Sequence, residues 1–315
     1  MIAVSVVATV LVLRPDSAAS GRDEIPTATE DSEVASANDT GPANIITEDP
    51  TCDAWGGIAR DYVSEVQSVN WADRDSQVPA SDWTDQQRVM YETVGRAMTD
   101  AADLAVTLQK QTPHRVMREL YGQFMAYAEA FADAIPTYTF ENADSLANVP
   151  GGALSALSAI CSAIDYKSAQ PVALQLAAPA SPAQVSPPSA EPKQFIDNSS
   201  RTVCEEWISS TDQYDKDTQA WLAIDANIPA SEWTAEQKAV YNSAASIMTA
   251  RADAIERMGR ESNNAVIEDF AVIAAQYLRA YVLTIPKYTS NDNFLSDSAR
   301  YLVGTVHWAC KAVRR

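Results

Sequence analysis

Residues 79–99, PASDWTDQQRVMYETVGRAMT, return 150 positions later as residues 229–249, PASEWTAEQKAVYNSAASIMT. The same offset relates Ile135-Pro136 to Ile285-Pro286 farther along the chain. A repeat of this length is a whole domain, because the unit of a solenoid is only about 20–50 residues long. The 315 residues therefore consist mainly of two copies of one unit, which we place at 51–167 and 201–315.

Each copy is bracketed by its own pair of cysteines. Cys52 and Cys204 stand at the start of the two repeats, and Cys161 and Cys310 stand near their ends. The sequence has no CxxC motif or Cys/His cluster, so the pattern does not favour a zinc site or a redox motif. Two disulfides, one within each repeat, are the simplest interpretation, and they place the repeats in an oxidising compartment. Four free, buried thiols are the alternative.

Helix signals recur in both copies. Thr84 followed by Gln87 is a capping box, and Thr234 with Gln237 repeats it. Apolar residues then recur every three or four positions, which is the spacing of a helix face in a bundle. In the first repeat we expect helices at about 52–70, 85–111, 113–135 and 152–166, the third of them starting at Pro113; the last helix of the second repeat is expected at 294–314.

Strand signals are scarce, since neither long alternating Val/Ile/Thr runs nor Asn-Gly or Asp-Gly turns occur. The sequence therefore predicts an all-α protein with two tandem repeats, each an up-down four-helix bundle closed by a disulfide. In such a bundle the start of the first helix and the end of the fourth lie at the same end. The cysteines stand at those two places in both repeats, so the spacing of the cysteines and the helix pattern agree.

The first 50 residues have a different character. Ile2 to Leu13 is a short apolar run, and we interpret residues 1–14 as a partial membrane anchor or signal segment. Spanning a bilayer takes about 20 residues, and no basic residue precedes the run. An anchor that begins upstream of Met1 is therefore favoured over a cleaved signal peptide or a buried helix. Residues 15–50 are acidic and lack aromatic side chains, which predicts a disordered acidic tether.

Between the repeats, residues 168–200 hold six of the 16 prolines, which predicts a Pro/Ala-rich, semi-extended linker. No second apolar run of membrane length is evident in the sequence. We therefore expect a single-pass protein of the cell membrane, with most of the chain outside the cytoplasm.

The net charge excludes one class of partner. The formal net charge is −19, with 23 Lys and Arg residues against 42 Asp and Glu residues. Nucleic acids select clusters of basic residues, so no nucleic-acid partner is expected. The same charge disfavours adhesion to anionic lipid surfaces and favours solubility.

No set of residues identifies a reaction. The two histidines, His114 and His307, do not correspond between the repeats, and the sequence has no nucleophile elbow, P-loop or Glu-x-x-His motif. Asp103 and Asp253 do correspond, and paired carboxylates can serve acid–base chemistry or bind a cation. Helix carboxylates such as these, or Glu268 and Asp269, more often form a solvated face. We therefore expect no enzyme, no cofactor and no metal site.

An aromatic set shared by both copies is the best candidate for ligand or partner contact, because Trp and Tyr combine a large apolar area with a polar tip. The set comprises Trp71, Trp83, Tyr91, Tyr127 and Tyr138, matched by Trp221, Trp233, Tyr241, Tyr277 and Tyr288. The alternative, which we favour, is that these side chains hold the loop before the second helix, and the Ile-Pro-x-Tyr-Thr turn, against the bundle.

The layout resembles that of uncharacterised actinobacterial, mycobacterial-type envelope proteins with an N-terminal membrane anchor. The resemblance rests on residues 1–50, the Ala- and Asp-rich composition and the cysteine pairs, and it implies a cell-envelope setting without catalytic residues. We expect a membrane-tethered binding or scaffolding protein whose partner is an envelope protein, a lipid or a glycan. The alternatives are the outer part of a signalling receptor whose cytoplasmic part lies upstream of Met1, and a hydrolase that uses Asp103 and Asp253.

Overall fold

The computed structural model describes residues 34–189 and 191–313, and within these ranges the regular secondary structure is helical, without strands. The first half contains α1 (Cys52–Ser68), α2 (Asp85–Gln111), α3 (Arg115–Ala134), α4 (Ser145–Asp165) and the short α5 (Gln170–Ala173). The second half contains α6 (Arg201–Asp217), the short α7 (Gln219–Leu222), α8 (Ala235–Glu261), α9 (Ala265–Thr284) and α10 (Asn293–Val313). The prediction of an all-α protein is confirmed.

The longest helices, α2 and α8, begin at the predicted capping boxes. The Thr84 hydroxyl accepts a hydrogen bond from the Gln87 backbone N–H at 3.2 Å, and the Gln87 side chain accepts one from the Thr84 N–H at 3.0 Å. Thr234 and Gln237 make the same two bonds at the start of α8. Each pair satisfies two N–H groups that the first turn of a helix leaves without a partner.

The predicted start of α3 at Pro113 was wrong. The helix begins at Arg115 instead, and Thr112 closes α2 rather than opening α3. The Thr112 hydroxyl donates to Asp49 at 2.5 Å and accepts the His114 backbone N–H at 3.2 Å. The local pattern assigned Thr112 to the cap of α3, but its side chain instead contacts Asp49, which is far away in the sequence.

The predicted start of α4 at Gly152 was also wrong, because the helix begins at Ser145 and includes Pro150. Proline and glycine inside a helix lower its stability, which made the sequence favour a later start. The buried side chains of Ala147, Val149 and Ala153 show that the first part of α4 belongs to the core, and this burial offsets the poor local propensity.

Both predicted disulfides are present. Cys52 and Cys161 have Cα atoms 5.3 Å apart and a sequence separation of 109 residues. For Cys204 and Cys310 the Cα distance is 5.1 Å and the separation is 106 residues. Each bond joins the first long helix of its half to the last, as expected if these helices lie side by side.

Within each half, the long helices pack against their neighbours in sequence, and the last returns to the first: α1–α2–α3–α4 and α6–α8–α9–α10. The most extensive contact of the molecule, however, joins the two halves through α4 and α10. A Cβ atom added to Gly152 of α4 would lie 2.9 Å from the Thr305 hydroxyl of α10, so the glycine permits this close approach. The buried residues of both halves form one hydrophobic cluster rather than two.

The residues that precede each half are part of this packing. We call residues 34–50 the first arm and residues 180–189 and 191–197 the second arm. Direct contact between α3 and α9 is limited, and both arms contact these two helices. In the first arm Ile46 is buried, and its carbonyl accepts the Tyr277 hydroxyl of α9 at 3.4 Å. In the second arm Phe195 lies between Tyr127 of α3 and Phe270 of α9, with ring centroids 6.1 and 5.6 Å away.

The arms correct two expectations. The predicted disordered tether at 15–50 does not hold for residues 34–50, where Ala43, Ile45 and Ile46 are buried. The part of the linker that forms the second arm is likewise packed, through Phe195 and Ile196, rather than free. A few apolar residues per arm are enough here, because they enter a cleft that the helices already line. Residues 1–14, the predicted membrane segment, and 15–33 lie outside the described residues.

Candidate functional site

The predicted aromatic residues of the first repeat lie together. Trp83 stacks on Tyr91 with ring centroids 4.0 Å apart, and Tyr138 lies 4.6 Å from Tyr91. Trp71 meets Tyr91 edge-on at 4.8 Å. The Trp83 indole donates a hydrogen bond to the Val78 carbonyl at 2.9 Å, which ties the ring cluster to the loop before α2.

The turn after α3 closes the same cluster. The Tyr138 hydroxyl donates to the Ser76 carbonyl at 2.9 Å, and the Ala80 backbone N–H donates to the Tyr138 carbonyl at 2.9 Å. Tyr138 therefore joins the loop and the turn through two hydrogen bonds, one made by its side-chain hydroxyl and one by its backbone carbonyl.

The second repeat builds the same arrangement. Trp233 stacks on Tyr241 with centroids 3.6 Å apart, Tyr288 lies 5.5 Å from Trp233, and the Trp233 indole donates to the Ile228 carbonyl at 2.9 Å. Trp221 differs from its counterpart, because its indole donates to the Tyr281 hydroxyl at 3.1 Å. The repeated sequence therefore encodes a repeated local structure.

These clusters face inward. Trp83 is 8% exposed and Trp233 is 7% exposed, and the four tyrosines of the two clusters (Tyr91, Tyr138, Tyr241 and Tyr288) are buried. Burial raises the pKa of Tyr91 and Tyr241, so both hydroxyls stay neutral. Tyr127 and Tyr277 are buried as well. Of the ten residues in the aromatic set, Trp71 and Trp221 are the ones that keep partly exposed surface.

The two histidines occupy unrelated places. His114 lies at the start of α3, where its Nε2 atom is 2.8 Å from the Glu48 carbonyl of the first arm. His307 is 5% exposed in α10, and its Nδ1 atom has no hydrogen-bond partner among the described residues. Burial, and then the positive charge of Lys311, lower the pKa of His307 to about 4. No nucleophile or carboxylate hydrogen-bonds to either ring within the described residues.

The corresponding aspartates do not share an environment. Asp103 is exposed on α2, and Asp253 is exposed on α8. Asp253 accepts a hydrogen bond from Arg279 at 2.7 Å, whereas the residue equivalent to Arg279 in the first repeat is Glu129. The two aspartates correspond in sequence, but they therefore do not form equivalent sites in the two repeats.

A buried charge cluster between α3, α9 and the two arms was missed by sequence reasoning. Glu268 and Asp269, expected on a solvated helix face, are both buried. Arg115 binds both oxygens of Asp269, at 2.6 and 2.9 Å, and each of these two side chains is 1% exposed. Arg115 also donates to the Gly41 carbonyl at 3.0 Å, so the ion pair reaches the first arm.

The second arm joins this cluster through different donors. Arg118 of α3 donates to the carbonyls of Ser36, at 3.3 Å, and Ser186, at 2.7 Å, and so contacts both arms. Glu268 accepts the backbone N–H of Ala183 at 3.2 Å and pairs with Arg260 at 3.0 Å. One signal in the sequence could have found the cluster: Glu119 and Asp269 correspond at the offset of 150, as do Arg118 and Glu268, with reversed charge.

Among the described residues, the charge cluster offers neither a ligand-sized pocket nor a set of metal-binding side chains. The open cleft beside it, lined by the arms, α8 and α9, has no enclosed room for a bound ligand. Among the described residues, no group of three or more His, Cys, Asp or Glu side chains is placed to hold a metal ion.

Contrary to the expectation of no second apolar run of membrane length, one described segment, Phe140–Asp165, is long and apolar enough to span a membrane, with a mean hydropathy of 1.3. It contains α4, the central helix that packs against α3 and α10, and 61% of its most apolar part is buried within the protein. A core helix of this kind meets the same criterion of length and composition, so the segment is weak evidence for a membrane crossing.

Comparison with known proteins gives two matches. The family model described as mycobacterial ESX-1 associated protein matches residues 34–314. An uncharacterized protein of Mycolicibacterium smegmatis (strain MKD8) is 41% identical over 301 residues, which cover 95% of this chain and 77% of that relative. No solved structure matches. The family match begins at the first arm and continues through both repeats, so the chain belongs to the family of mycobacterial ESX-1 associated proteins.

Proposed function

We propose that this protein is an extracytoplasmic binding or scaffolding protein of the mycobacterial envelope that works with the ESX-1 secretion system. The family supplies the link to ESX-1 and to mycobacteria. In this proposal the rigid body consists of two copies of a four-helix unit, fused through α4 and α10. Its outer surface, rather than an internal pocket, contacts the partner.

The observation that carries the proposal is the pair of disulfides. Each closes a loop of more than a hundred residues, and such bonds persist in oxidising compartments rather than in the cytoplasm. Mass mapping of the native protein, after free thiols are blocked in intact cells, tests this step. We expect Cys52 to be linked to Cys161 and Cys204 to be linked to Cys310. Cysteines that carry the blocking reagent would have been free thiols in the cell, and this result would contradict an extracytoplasmic location.

The tryptophans with partly exposed surface are the candidate partner contacts that remain from the aromatic set. Trp221 lies in α7 beside Leu222, which is 52% exposed. The full-length protein would be tagged and crosslinked in cells, as wild type, Trp221→Ser and Leu222→Ser. We expect an ESX-1 component or another envelope partner in the wild-type sample. Loss of this partner in Trp221→Ser but not in Leu222→Ser would locate the contact.

Failure of that experiment has a clear meaning. Recovery of no envelope or secretion partner by the wild-type chain would contradict the binding proposal. Equal loss of the partner in both variants would remove Trp221 as a specific contact, and circular dichroism of each variant checks that the helices are intact.

We further propose that residues 1–14 tether the body to the cell membrane once. Deletion of residues 2–13 is expected to move the protein from the membrane fraction to a soluble extracytoplasmic fraction, because the apolar run supplies the membrane affinity. Alkaline carbonate extraction of the wild type is the matched measurement. A wild-type protein released by carbonate would contradict the tether and leave the binding proposal intact.

A further inference from the structure

The buried charge cluster contains one more acid than it has bases. Its arginines are Arg115 and Arg118 of α3, Arg260 of α8 and Arg279 of α9. Its acids are Glu119 of α3, Glu256 of α8, Glu268 and Asp269 of α9, and the partly exposed Asp39 of the first arm. The second arm adds no charged side chain between residues 180 and 189. Four positive charges therefore face five carboxyl groups, and an uncompensated buried charge is costly.

Glu119 is the carboxyl group with the poorest environment for a charge. It is 6% exposed, and neither of its oxygens accepts a hydrogen bond among the described residues. Its nearest cation is Arg118, at 3.8 Å, which is longer than a hydrogen bond. The other four carboxylates receive direct hydrogen bonds. Asp269, Glu268 and Glu256 receive them from arginines, and Asp39 receives one from the Arg115 backbone N–H at 2.7 Å.

These surroundings favour the protonated form of Glu119. Burial, and then the negative charge of the neighbouring Asp269, raise the pKa of Glu119 well above its usual range. A protonated Glu119 balances the charges of the cluster, and its O–H group can donate to Asp269. An ionised Glu119 would repel Asp269 and compete for the guanidinium of Arg118.

Arg118 connects this proton to the arms, because the same guanidinium donates to Ser36 of the first arm and Ser186 of the second. Arg115 in turn joins Asp269 to the carbonyls of Asp39 and Gly41. We propose that Glu119 is a proton-controlled latch: its neutral form holds both arms over α3 and α9, and its ionisation loosens them. The latch does not depend on the proposed binding function, because it concerns only how the protein holds its own arms.

The direction of the pH effect follows because Glu119 holds a proton when the arms are closed and releases it when they are open. Closure of the arms is strongest below the ordinary pKa of a glutamic acid and weakens as the pH rises toward the raised value in the closed state. Within that window, each pH unit is expected to reduce the equilibrium constant for closure by up to about tenfold.

Amide hydrogen exchange of the full chain between pH 4.5 and pH 8 tests the latch. After correction for the intrinsic pH dependence of exchange, the protection of the arms should change by up to about tenfold per pH unit. We expect protection of peptides from residues 34–41 and 180–189 to fall as the pH rises, while peptides from α4 keep theirs. Constant protection of both arms over this range would overturn the proposal.

Two matched variants separate the latch from general destabilisation. Glu119→Gln keeps the shape of the side chain and a donor for Asp269, so the arms should stay protected across the whole pH range. Glu268→Gln, which alters an acid already paired with Arg260, should keep the pH dependence and loosen mainly the second arm. A Glu119→Gln protein with the same pH dependence as wild type would refute the latch.

A measurement on the wild type alone keeps the test decisive if a variant does not fold. Infrared difference spectra between acidic and alkaline pH should show a protonated carboxyl group that is lost together with the arm protection. Loss of arm protection without the loss of a protonated-carboxyl signal over the same pH range would contradict the coupling.

Discussion

The two repeats agree at their aromatic clusters and differ in the interior between α6, α8 and α10. The stacked Trp83–Tyr91 and Trp233–Tyr241 pairs make the same bonds to the loops before α2 and α8. Between α6 and α8, in contrast, the interior of the second repeat contains a polar contact. Arg251 of α8 donates to the hydroxyls of Ser210 and Thr211 in α6.

The first repeat has apolar or small residues at those positions. Alignment of the first cysteine of each pair matches Ser210 with Ile58 and Thr211 with Ala59, and the 150-residue offset matches Arg251 with Ala101. Burial lowers the pKa of Arg251 to about 10, so this side chain retains its charge at neutral pH without a carboxylate in hydrogen-bonding contact. The comparison teaches that the duplicated unit requires the aromatic cluster, while its interior tolerates different chemistry.

Removal of a disulfide is expected to have the largest effect and to show whether the two halves unfold together. The double variants Cys52→Ala/Cys161→Ala and Cys204→Ala/Cys310→Ala should each lose about 4–5 kcal/mol of unfolding free energy, because the closed loops are nearly equal in length. Denaturant unfolding measures this loss. With one shared core, each double variant should shift a single transition; a variant in which one half unfolds alone would show that the halves are independent.

The tryptophans at the centre of the aromatic clusters should behave alike. Trp83→Ala and Trp233→Ala each leave a cavity next to a stacked tyrosine and remove a bond to a loop carbonyl, so each should cost about 3–5 kcal/mol. Chemical unfolding of both variants should give values within about 1 kcal/mol of each other, given the usual scatter of such sites. A small cost in one repeat alone would refute a common role in holding the loop.

Much of this comparison could be predicted from the sequence. The capping boxes at Thr84 and Thr234 follow from short patterns with a local cause. The pairing of the four cysteines follows from their matching places at the two ends of each repeat. The loop-holding role that we favoured for the aromatic set agrees with the inward-facing rings of Trp83 and Trp233. For Trp71 and Trp221, a role in contacting a ligand or a partner remains a prediction.

The arms and the charge cluster could not be predicted by the same reasoning. Composition averaged over residues 15–50 hides the apolar pair Ile45-Ile46, which matches Phe195-Ile196 at the 150-residue offset. Both pairs are buried. Likewise Glu268 and Asp269 look like surface residues until α3 supplies Arg115 from the other half of the chain. Contacts between halves decide these features, and no local pattern contains them.

His307 should give the second repeat a pH dependence that the first repeat lacks. Alignment of the second cysteine of each pair matches His307 with Ser158, whose hydroxyl accepts a hydrogen bond from Trp55 at 3.2 Å. Burial lowers the pKa of His307 from 6.5 to about 4, so the unfolded chain takes up a proton before the folded chain does. The free energy of unfolding should therefore fall as the pH drops from about 6.5 to about 4, by up to about 3 kcal/mol.

Urea unfolding of wild type and His307→Ser at several pH values measures this contribution. The serine variant should lose the acid-side slope that belongs to the histidine, and α10 peptides in hydrogen exchange should report the change locally. An unchanged slope in the variant would show that His307 titrates in the folded protein as it does in the unfolded chain. The Glu119 latch has the opposite sign, because it weakens as the pH rises, so the two effects are separable.

The smallest expected effect concerns the two outer tryptophans. Trp221 donates to the Tyr281 hydroxyl at 3.1 Å, but the matching residue in the first repeat is Phe131, which cannot accept this bond. Trp71 is instead covered by Arg74, whose guanidinium lies 4.0 Å from the ring centroid. Tyr281→Phe should therefore cost about 1 kcal/mol, the usual net value of one hydrogen bond.

A double-mutant cycle with Trp221→Phe isolates that bond from the packing of the two rings, which lie 5.7 Å apart. The coupling energy should match the cost of Tyr281→Phe in magnitude if the hydroxyl serves mainly as an acceptor for Trp221. A coupling energy close to zero would assign the cost to the neighbouring tyrosines. In that case Trp221 would be held by packing alone, and its exposed edge would be free to contact a partner without breaking a bond within the protein.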